Sequence, residues 1–319
     1  MKVFVTGGSG FVGGKLIERL VAAGDEVRAL ARSDAAAGAV SALGAEPVRG
    51  DLTDRASIEA GAEGCELAFH SAAMLGDSGP WEEFERVNVD GSRNVVRACA
   101  AAGVRRVVHV STEAVLIAGD PLVEVDETAP RRTDSKAPYS RSKALAEEAV
   151  LAESGIERVI VRPRFIWGAG DKTLLPQIAS MVRAGRFAWI GGGAHLTDTT
   201  HVDSVVHGLR LAADRGADGE IYFVTDDERV IFRDFVSDLI RTQGLDPPSR
   251  NVPAALAGTV AAASETSWRL LPLPGQPPLT RFVVWVSSQE CTIDISKAKR
   301  ELGYAPVKGR AEGLEELRS

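Results

Sequence analysis

Short apolar runs alternate with longer amphipathic stretches through the first half of the chain. The short runs have the length and the apolar content of strands, and they span Val3–Val5, Glu26–Ala31, Glu46–Val48, Glu66–His70, Arg106–Val110 and Arg158–Val161. In several of the intervening stretches apolar residues recur at three- and four-residue spacing, which predicts helices over Gly13–Ala23, Trp81–Ala102 and Tyr139–Glu153. This alternation predicts an α/β fold, a doubly wound parallel sheet covered by helices on both faces.

The alternation breaks beyond Trp167. The chain continues there with helical stretches and Gly/Pro-rich connections such as GGGAH (191–195) and LPLPGQPPL (271–279), whereas Glu220–Thr225 has the pattern of one more sheet strand. A chain of 319 residues is long enough for one large or two medium domains. We therefore predict a nucleotide-binding domain of residues 1–166 plus about 200–228, and a smaller, discontinuous substrate domain of about 167–199 plus 229–319.

Composition narrows the classes of function. Apolar residues make up 45% and charged residues 25% of the chain, which is typical of a globular protein. The formal charge of −7 is spread without a basic block, so nucleic acid is not an expected partner. Cys65, Cys99 and Cys291 lie far apart and lack metal-ligand spacing, which predicts buried thiols, no metal site and a cytoplasmic location.

Two further features bear on membranes. No basic leader or cleavage site precedes the first strand, so no signal peptide is expected. The longest apolar region, Val252–Ala263, is too short to span a bilayer. It fits a lid or a core helix better than a helix lying on a membrane surface.

A glycine-rich turn follows the first predicted strand. Gly8-x-Gly10-x-x-Gly13 matches the dinucleotide-binding pattern, and it opens a predicted helix as that pattern requires. The tight turn, the approach of the backbone to a diphosphate and the close contact between helix and strand each exclude a side chain. The helix N-terminus also presents free N–H groups to phosphate oxygens. The motif predicts a dinucleotide cofactor on a Rossmann fold.

The end of the second strand distinguishes the two nicotinamide cofactors. A carboxylate there would accept hydrogen bonds from the ribose 2′-hydroxyl of NAD, but this chain has Ala31 followed by Arg32. A guanidinium suits a 2′-phosphate, so we predict NADP(H) in preference to NAD(H). In the alternative, Arg32 is solvated, and Ser33 or Asp34 meets the ribose.

Candidate acid–base chemistry lies in PYSRSK. Tyr139 and Lys143 are four residues apart near the start of a predicted helix, so they share one face. A neighbouring cation favours phenolate and lowers the pKa of a tyrosine toward neutrality. Ser111 and Thr112 end the fifth strand, at the sheet edge where ligands of such folds bind. Alternatively, the Tyr/Lys spacing is an exposed helix pair, and the hydroxyls cap local backbone.

Taken together, the motifs resemble those of the extended short-chain dehydrogenase/reductases, the superfamily of NAD-dependent epimerases and dehydratases. Within that superfamily the chain is similar to the branch of 3β-hydroxysteroid dehydrogenase-like enzymes and related ketone reductases. The resemblance covers essentially the whole chain. It rests on TGGSGFVG, GDL (50–52), HSAA (70–73), VNVDGSRN (87–94), VSTEAV (110–115), YSRSK (139–143), VRPRFIWGAGD (161–171), THVDSVVHG (200–208) and TIDISKAKRELGYAP (292–306).

The resemblance implies roles for individual residues. Tyr139 and Lys143 match the acid–base pair, with Lys143 also reaching the nicotinamide ribose. The third catalytic position, usually serine, falls on Thr112, with Ser111 just before it, and which of the two hydroxyls acts stays open. The other implied cofactor contacts are Gly7, Gly10, Phe11, Val12 and Gly13 at the diphosphate, Asp51 and Leu52 at the adenine, Ser71, Ala72 and Ala73 after the fourth strand, Asn88 on a helix, and Pro163 with Ile166 around the nicotinamide.

Two departures from relatives that act on sugar nucleotides bear on the substrate. The segment RPRFIWG lacks their asparagine, and DTTHVD lacks their arginine. Both would contact a sugar diphosphate, so a steroid-like or other apolar ketone or secondary alcohol fits better. The stretch Val252–Leu273, with Trp268, either walls such a pocket or is an ordinary packed helix.

The sequence thus predicts an NADP(H)-dependent oxidoreductase that transfers hydride between the nicotinamide and an apolar ketone or secondary alcohol. The main alternative is a nucleotide-sugar epimerase or dehydratase that retains NAD. A third hypothesis, a non-catalytic sensor of dinucleotide state, is disfavoured by the Tyr139/Lys143 pair. The resemblance is compatible with a monomer or a homodimer.

Overall fold

A computed structural model describes residues 1–271 and 273–318, so Pro272, within the predicted apolar stretch, and Ser319 lie outside the described residues. The strands are β1 Lys2–Thr6, β2 Glu26–Ala31, β3 Glu46–Arg49, β4 Leu67–His70, β5 Arg106–Val110, β6 Leu122–Val125, β7 Glu157–Pro163, β8 Ile166–Trp167, β9 Trp189–Ile190, β10 Leu196–Thr197, β11 Thr200–His201, β12 Ile221–Val224, β13 Val230–Ile231, β14 Asn251–Val252 and β15 Cys291–Ile293. The α-helices are α1 Phe11–Ala22, α2 Asp34–Ala42, α3 Arg55–Ala62, α4 Trp81–Phe84, α5 Gly91–Ala101, α6 Pro138–Ala152, α7 Leu174–Arg183, α8 Val202–Arg215, α9 Phe232–Thr242, α10 Ala254–Leu270, α11 Arg281–Ser288 and α12 Arg310–Glu316.

Seven of these strands form the central sheet, in the order β12-β7-β5-β4-β1-β2-β3. Every neighbouring pair is parallel. The chain winds outward from β1 in one direction through β2 and β3, then returns to place β4 on the other side of β1. The predicted doubly wound Rossmann α/β fold is confirmed. Its topological switch point lies between β1 and β4, where such sheets bind ligands outside their carboxyl ends.

The core of the central sheet follows from the two-residue repeat of its strands. In β1, Val3 and Val5 pack into one buried cluster together with Leu16 of α1, whereas Phe4 packs into another with Ile58 of α3. Successive side chains of a strand point to opposite faces, so one short apolar strand supplies both layers. Burying each such side chain contributes about 1.5–3 kcal/mol.

Smaller sheets lie outside this core. One contains four strands in the order β13-β10-β15-β6, and β11 pairs with β8 and β14 with β9. Strand β6 (122–125) therefore joins a sheet with strands from beyond residue 190. Conversely, Ile293 and Tyr304 pack into the core of the central sheet. The domain boundaries given above stay a prediction.

The predicted helix Trp81–Ala102 contains a π-helical segment. It begins as α4, widens over Glu85–Asp90 and continues as α5. Such π-bulges occur frequently at functional sites. Here the segment carries Asn88, which is buried within it.

Candidate active site

The glycine-rich turn forms a cradle with no room for side chains. Gly7 has a φ of +77°, and the N–H of Gly10 donates to the Gly7 carbonyl at 3.0 Å, which closes the turn. A Cβ atom on Gly13 would lie 2.3 Å from that same carbonyl oxygen. Helix α1 begins at Phe11 with Gly10 as a cap that offers no side-chain hydrogen bond, so its first N–H groups remain available to an anion. This cradle fits the diphosphate of a dinucleotide.

The segment after β4 lies directly against the cradle. A Cβ atom on Gly7 would lie 2.6 Å from the backbone nitrogen of Ala72, and one on Gly13 would lie 2.9 Å from Oγ of Ser71. The N–H of Ala72 also donates to Oγ1 of Thr6, at the end of β1, at 3.4 Å. The ends of β1 and β4 thus form one crevice, at the switch point.

The ends of β2 and β3 carry the residues expected at the adenosine end. Arg32 is exposed, and the preceding Ala31 is buried. Oγ of Ser33 accepts the N–H of Ala36 and caps α2, and Asp34 pairs with Arg49 at 3.4 Å. Ser33 thus serves as a helix cap, whereas the Asp34 carboxylate is fully exposed beside Arg49.

Asp51 and Leu52 follow β3, as expected for residues near an adenine. The pKa of Asp51 is lowered, mainly by hydrogen bonds from Thr53 and further by the charges of Arg32 and Arg86. Leu52 is buried, and its carbonyl accepts a hydrogen bond from Asn94 at 3.0 Å. The side chains of Arg32 and Arg86 thus lie close enough to act on Asp51 at this end of the crevice.

The side chain of Asn88 forms hydrogen bonds to other residues of the chain. Its Oδ1 accepts the N–H of Met74 at 2.7 Å, and its Nδ2 donates to the Met74 carbonyl at 3.1 Å and to Oγ of Ser142 at 2.9 Å. Ser142 in turn donates to the carbonyl of Tyr139 at 2.9 Å. Asn88 therefore ties the loop after β4 to α6, and its predicted contact with the cofactor stays a prediction.

Tyr139 lies near the start of α6, where Pro138 occupies the first turn. Its half-buried ring packs edge-on against Phe282 of α11, with centroids 5.9 Å apart. Burial raises the pKa of Tyr139, and the charge of Glu113 raises it further. In this arrangement the pKa is raised, in contrast to the lowering by Lys143 that the sequence suggested.

Lys143 lies one turn further along α6 and is buried. Its Nζ donates to the carbonyl of Val110 at 2.9 Å and lies 3.3 Å from Nε2 of His109. Burial lowers the pKa of Lys143 to about 8, against the charge of Glu147, which raises it. The ammonium is therefore held at the end of β5, under the same sheet edge as Tyr139.

The two candidate hydroxyls have different neighbours. Oγ of Ser111 donates to Oε1 of Glu147 at 2.5 Å, within a buried group where Arg162 also binds that carboxylate. Oγ1 of Thr112 donates to Oε2 of Glu113 at 2.7 Å and is a hydrogen-bonding neighbour of the Tyr139 phenol. The described contacts thus place Thr112, and not Ser111, beside the phenol.

Pro163 and Ile166 lie where the chain leaves the central sheet. Pro163 ends β7 opposite Val224, and Ile166 begins β8 opposite Thr200. Phe165, between them, has a φ of +41°, which is rare for a residue with a side chain. The turn brings the segment 163–166 to the carboxyl edge of the sheet, where the nicotinamide was expected.

Several residues of the site were missed from the sequence. Glu147 lies four residues after Lys143 and eight after Tyr139 on α6. The helical spacing alone could therefore have identified it. The others depend on contacts between distant segments: Glu113 with Arg164, His70 with His109, and Phe282 against Tyr139. Glu113, Arg164 and His70 lie within the motifs VSTEAV, VRPRFIWGAGD and HSAA, but nothing in those motifs discloses their partners.

Most of the apolar stretch Val252–Leu273 lies in helix α10. Ala257 and Ala261 of α10 pack with Val284 of α11, the helix that carries Phe282. Trp268 donates from Nε1 to the carbonyl of Gly275 at 3.2 Å. The apolar stretch therefore packs against the helix that carries Phe282, and its role as a wall of the substrate pocket stays a prediction.

Across residues 1–271 and 273–318, no group of three or more His, Cys, Asp or Glu side chains is arranged to hold a metal ion. Within the same residues, none of the helices has both the length and the apolar character needed to span a membrane.

A buried histidine pair predicts a loss of stability in acid. Burial lowers the pKa of His70 to about 3, and the charge of Lys143 contributes to the shift. Between pH 6.5, the ordinary pKa, and about 3 the unfolded state binds the proton and the folded state does not, so stability falls as pH falls. The melting temperature is expected to drop between pH 7.5 and pH 5, and to drop less in His70→Gln, whose amide can still bond Thr6 and Ser92.

His207→Gln is the matched control, because His207 is less buried. It should keep most of the wild-type drop in melting temperature. An equal drop in wild type and in His70→Gln would show that His70 does not cause the acid sensitivity.

Comparison with known proteins agrees with this geometry. The model of the 3-beta hydroxysteroid dehydrogenase/isomerase family matches residues 4–254. A 4-hydroxy-2-methyl-3-oxo-4-farnesyl-3,4-dihydroquinoline-1-oxide ketoreductase of Stigmatella aurantiaca is 45% identical over 320 residues, which cover 100% of this chain and 96% of the relative. A 2-alkyl-3-oxoalkanoate reductase of Stenotrophomonas maltophilia (strain K279a) is 36% identical over 332 residues, covering 100% and 99%.

A solved structure extends the comparison to a cofactor complex. DesIV, a dTDP-glucose 4,6-dehydratase from Streptomyces venezuelae with NAD and TYD bound, superposes with a TM-score of 0.79 at 25% identity, covering 100% of this chain and 96% of that one. The fold, the cradle and the relatives lead to the same assignment. The chain is an NAD(P)-dependent oxidoreductase of the extended short-chain dehydrogenase/reductase type and belongs to the 3-beta hydroxysteroid dehydrogenase/isomerase family.

Proposed function

We propose that this protein interconverts an apolar ketone and the corresponding secondary alcohol with NADP(H). The observation that carries the proposal is the position of the Tyr139 phenol, beside the Thr112 hydroxyl at the carboxyl edge of the sheet. That edge adjoins a glycine cradle that fits a diphosphate. An acid–base group next to a dinucleotide site is what carbonyl reduction requires.

Each residue of the site then has a role. Tyr139 gives its hydroxyl proton to the carbonyl oxygen in reduction and takes it back in oxidation. Lys143, with a pKa of about 8, is mainly cationic at neutral pH, and its ammonium would bind the nicotinamide ribose. The dinucleotide, when bound, supplies or accepts the hydride. Thr112 contacts the substrate oxygen, while Ser111 belongs to the buried Glu147 group.

The preference for NADP(H) rests on Arg32. Its guanidinium is exposed at the end of β2, next to a Ser33 that caps a helix and an Asp34 that pairs with Arg49. A 2′-phosphate would find a cation there, whereas the buried Ala31 at the strand end offers a 2′-hydroxyl no carboxylate. NADP(H) is therefore the cofactor that the adenosine end favours.

Replacing Arg32 by alanine is expected to raise the KM for NADPH by about 10- to 100-fold, because charge-assisted hydrogen bonds contribute roughly 1.5–3 kcal/mol. The KM for NADH should change little, since NADH has no 2′-phosphate. Steady-state kinetics with both cofactors measure the two values. Arg55→Ala, which removes an exposed arginine at the start of α3, is the control. A wild-type preference for NADH would contradict the assignment.

The substrate is proposed to be a ketone with an apolar body. Phe282 stands against Tyr139, and α10 and α11 supply an apolar support behind it. The two relatives named above are a ketoreductase of a farnesyl compound and a reductase of 2-alkyl-3-oxoalkanoates, and the substrates in both names combine a ketone with hydrocarbon. An apolar pocket around one polar reacting group is the usual design for such ligands.

A screen of NADPH oxidation tests the proposed function. The panel contains steroid, aryl, aliphatic and β-keto carbonyl compounds, with UDP-sugars as the negative set. We expect stoichiometric NADPH consumption with one or more apolar ketones and none with UDP-sugars. Turnover of a UDP-sugar without net change in the cofactor would instead support the epimerase or dehydratase alternative.

A further inference from the structure

A buried histidine on strand β5 contacts the ammonium group of Lys143. The strand reads RVVHV, and the side chain of His109 is fully buried. Its Nε2 lies 3.3 Å from Nζ of Lys143, whereas its Nδ1 is buried and has no hydrogen-bond partner among the described residues. A buried polar atom without a partner costs free energy that an apolar side chain at this position would avoid. The histidine is therefore better explained by what its Nε2 does for Lys143.

The charge of Lys143 determines the direction of this hydrogen bond. An ammonium group has three hydrogens to donate and no lone pair with which to accept, so Nε2 of His109 must be the acceptor. The ring hydrogen then lies on Nδ1. Burial lowers the pKa of His109 well below its ordinary value, and the charge of Lys143 lowers it further. The ring therefore stays neutral and keeps the lone pair on Nε2.

Two of the three ammonium hydrogens of Lys143 are held in this way. One faces Nε2 of His109, and another is donated to the carbonyl of Val110 at 2.9 Å. The bonds of the nitrogen are tetrahedral, so fixing two N–H directions also fixes the third. In the part of the chain that the structure describes, this third hydrogen has no acceptor. It is available to a ligand at the end of β5.

We propose that His109 is a positioning residue for the cofactor: by accepting one hydrogen of Lys143, it directs the remaining hydrogen to a hydroxyl of the nicotinamide ribose. The inference rests on the proposed function, in which Lys143 binds that ribose. A lysine side chain is long and flexible, and holding it in place before the cofactor arrives reduces the entropy lost on binding. His109 acts through Lys143 and has no contact of its own with the cofactor.

The ring hydrogens of the histidines provide a test that needs no cofactor. Long-range 1H–15N correlation spectra of 15N-histidine-labelled protein at pH 7 distinguish the two tautomers, and spectra of His70→Gln and His109→Gln assign the signals. We expect His109 to carry its hydrogen on Nδ1. His70 should carry its hydrogen on Nε2, because Ser92 donates its one hydrogen to the carbonyl of Asn88 at 2.6 Å and can only accept from His70. A hydrogen on Nε2 of His109 would overturn the inference.

Two nucleotides that differ by one ribose measure the effect on binding. 2′-Phospho-ADP-ribose contains the nicotinamide ribose without the nicotinamide, and 2′-phospho-ADP lacks that ribose. Calorimetry gives the Kd of each for wild type, H109L, K143M and H109L/K143M. H109L should raise the Kd of 2′-phospho-ADP-ribose by about fivefold, because Lys143 must then be ordered on binding, and should leave the Kd of 2′-phospho-ADP unchanged. In the K143M background H109L should change neither Kd further.

Two further variants separate positioning from packing. His109→Gln places an amide oxygen near the position of Nε2, where it accepts from Lys143, so this variant should keep the wild-type Kd for 2′-phospho-ADP-ribose. If H109L does not fold, H109M also lacks a strong acceptor, and its flexible side chain fits irregular space more readily. It should raise the same Kd in the same direction. Equal losses in H109Q and H109L would assign the effect to packing and contradict the inference.

The outcomes separate the inference from the proposed function. If K143M weakens binding of 2′-phospho-ADP-ribose and neither H109L nor H109M does, the role of His109 is wrong and the proposed function stands. A rise in the Kd of both nucleotides in H109L would also overturn the inference, because the effect would not depend on the ribose. If K143M binds both nucleotides like wild type, the proposed role of Lys143 is wrong, and the inference is wrong with it.

The choice of nucleotides does not depend on the preference for NADP(H). Tighter binding of ADP-ribose than of 2′-phospho-ADP-ribose by wild type would contradict that preference alone. ADP-ribose and ADP would then replace the two phosphorylated probes, with the same expected results for His109 and Lys143.

Discussion

Replacing Tyr139 by phenylalanine is expected to lower kcat for ketone reduction by about 10²- to 10⁴-fold, the range that positioned general acids contribute. The substitution keeps the ring, which packs edge-on against Phe282, and removes only the hydroxyl. The Kd for NADPH, measured by fluorescence titration, should change little, because no predicted contact with the diphosphate or the adenosine is altered.

Tyr222→Phe is the matched control for this experiment. Its hydroxyl donates to Glu301 at 3.2 Å, far along the chain from the proposed site, and its ring belongs to the core around β12. The control should retain nearly wild-type kcat. Retention of most activity by Tyr139→Phe would mean that another group supplies the proton.

Replacing Gly13 by alanine is expected to weaken NADPH binding by at least about tenfold. The new Cβ would lie 2.3 Å from the carbonyl oxygen of Gly7 and 2.7 Å from its carbonyl carbon. Both atoms are backbone atoms of the turn, so the turn itself has to open. Overpacking of this kind costs roughly 1–3 kcal/mol, and the displaced N–H groups no longer converge on a phosphate.

Gly14→Ala is the control for the cradle. The neighbouring glycine belongs to the same helix, and a Cβ there would approach nothing closer than 3.4 Å, at the Gly8 carbonyl oxygen. Its Kd for NADPH should stay near the wild-type value. Equal losses in Gly13→Ala and Gly14→Ala would show that helix α1, and not the shape of the turn, determines binding.

The strands of the central sheet could be predicted because their apolar runs are long enough to display a pattern. Glu26–Ala31 and Arg106–Val110 have the predicted bounds, and the strand Glu220–Thr225 was found to within one residue at each end. The two-residue strands of the outer sheets are too short for any periodicity, and their pairing depends on distant partners. Helix α2 reads DAAAGAVSA, in which a polar and an apolar face are hard to separate.

The residues of the site also fall into those that the local sequence predicts and those that only the fold brings together. The glycine cradle and the Tyr139/Lys143 face could be read locally, because one turn and one helix contain them. The Glu113–Arg164 pair joins residues 51 positions apart in the chain, and only the folded sheet reveals it. The same holds for the pKa of Tyr139: its direction depends on burial and on Glu113, neither of which the spacing to Lys143 discloses.

A single-turnover experiment with NADPH that carries deuterium at both positions of the nicotinamide C4 tests the central claim most directly. Wild-type enzyme is mixed with the ketone of the panel that is reduced fastest, and the product is analysed by mass spectrometry. The proposed function predicts an alcohol with one deuterium at the carbinol carbon, formed by wild type and not, on the same time scale, by Tyr139→Phe. An unlabelled product, or equal labelling at equal rates in both proteins, would contradict the role of Tyr139 in a direct ketone reduction.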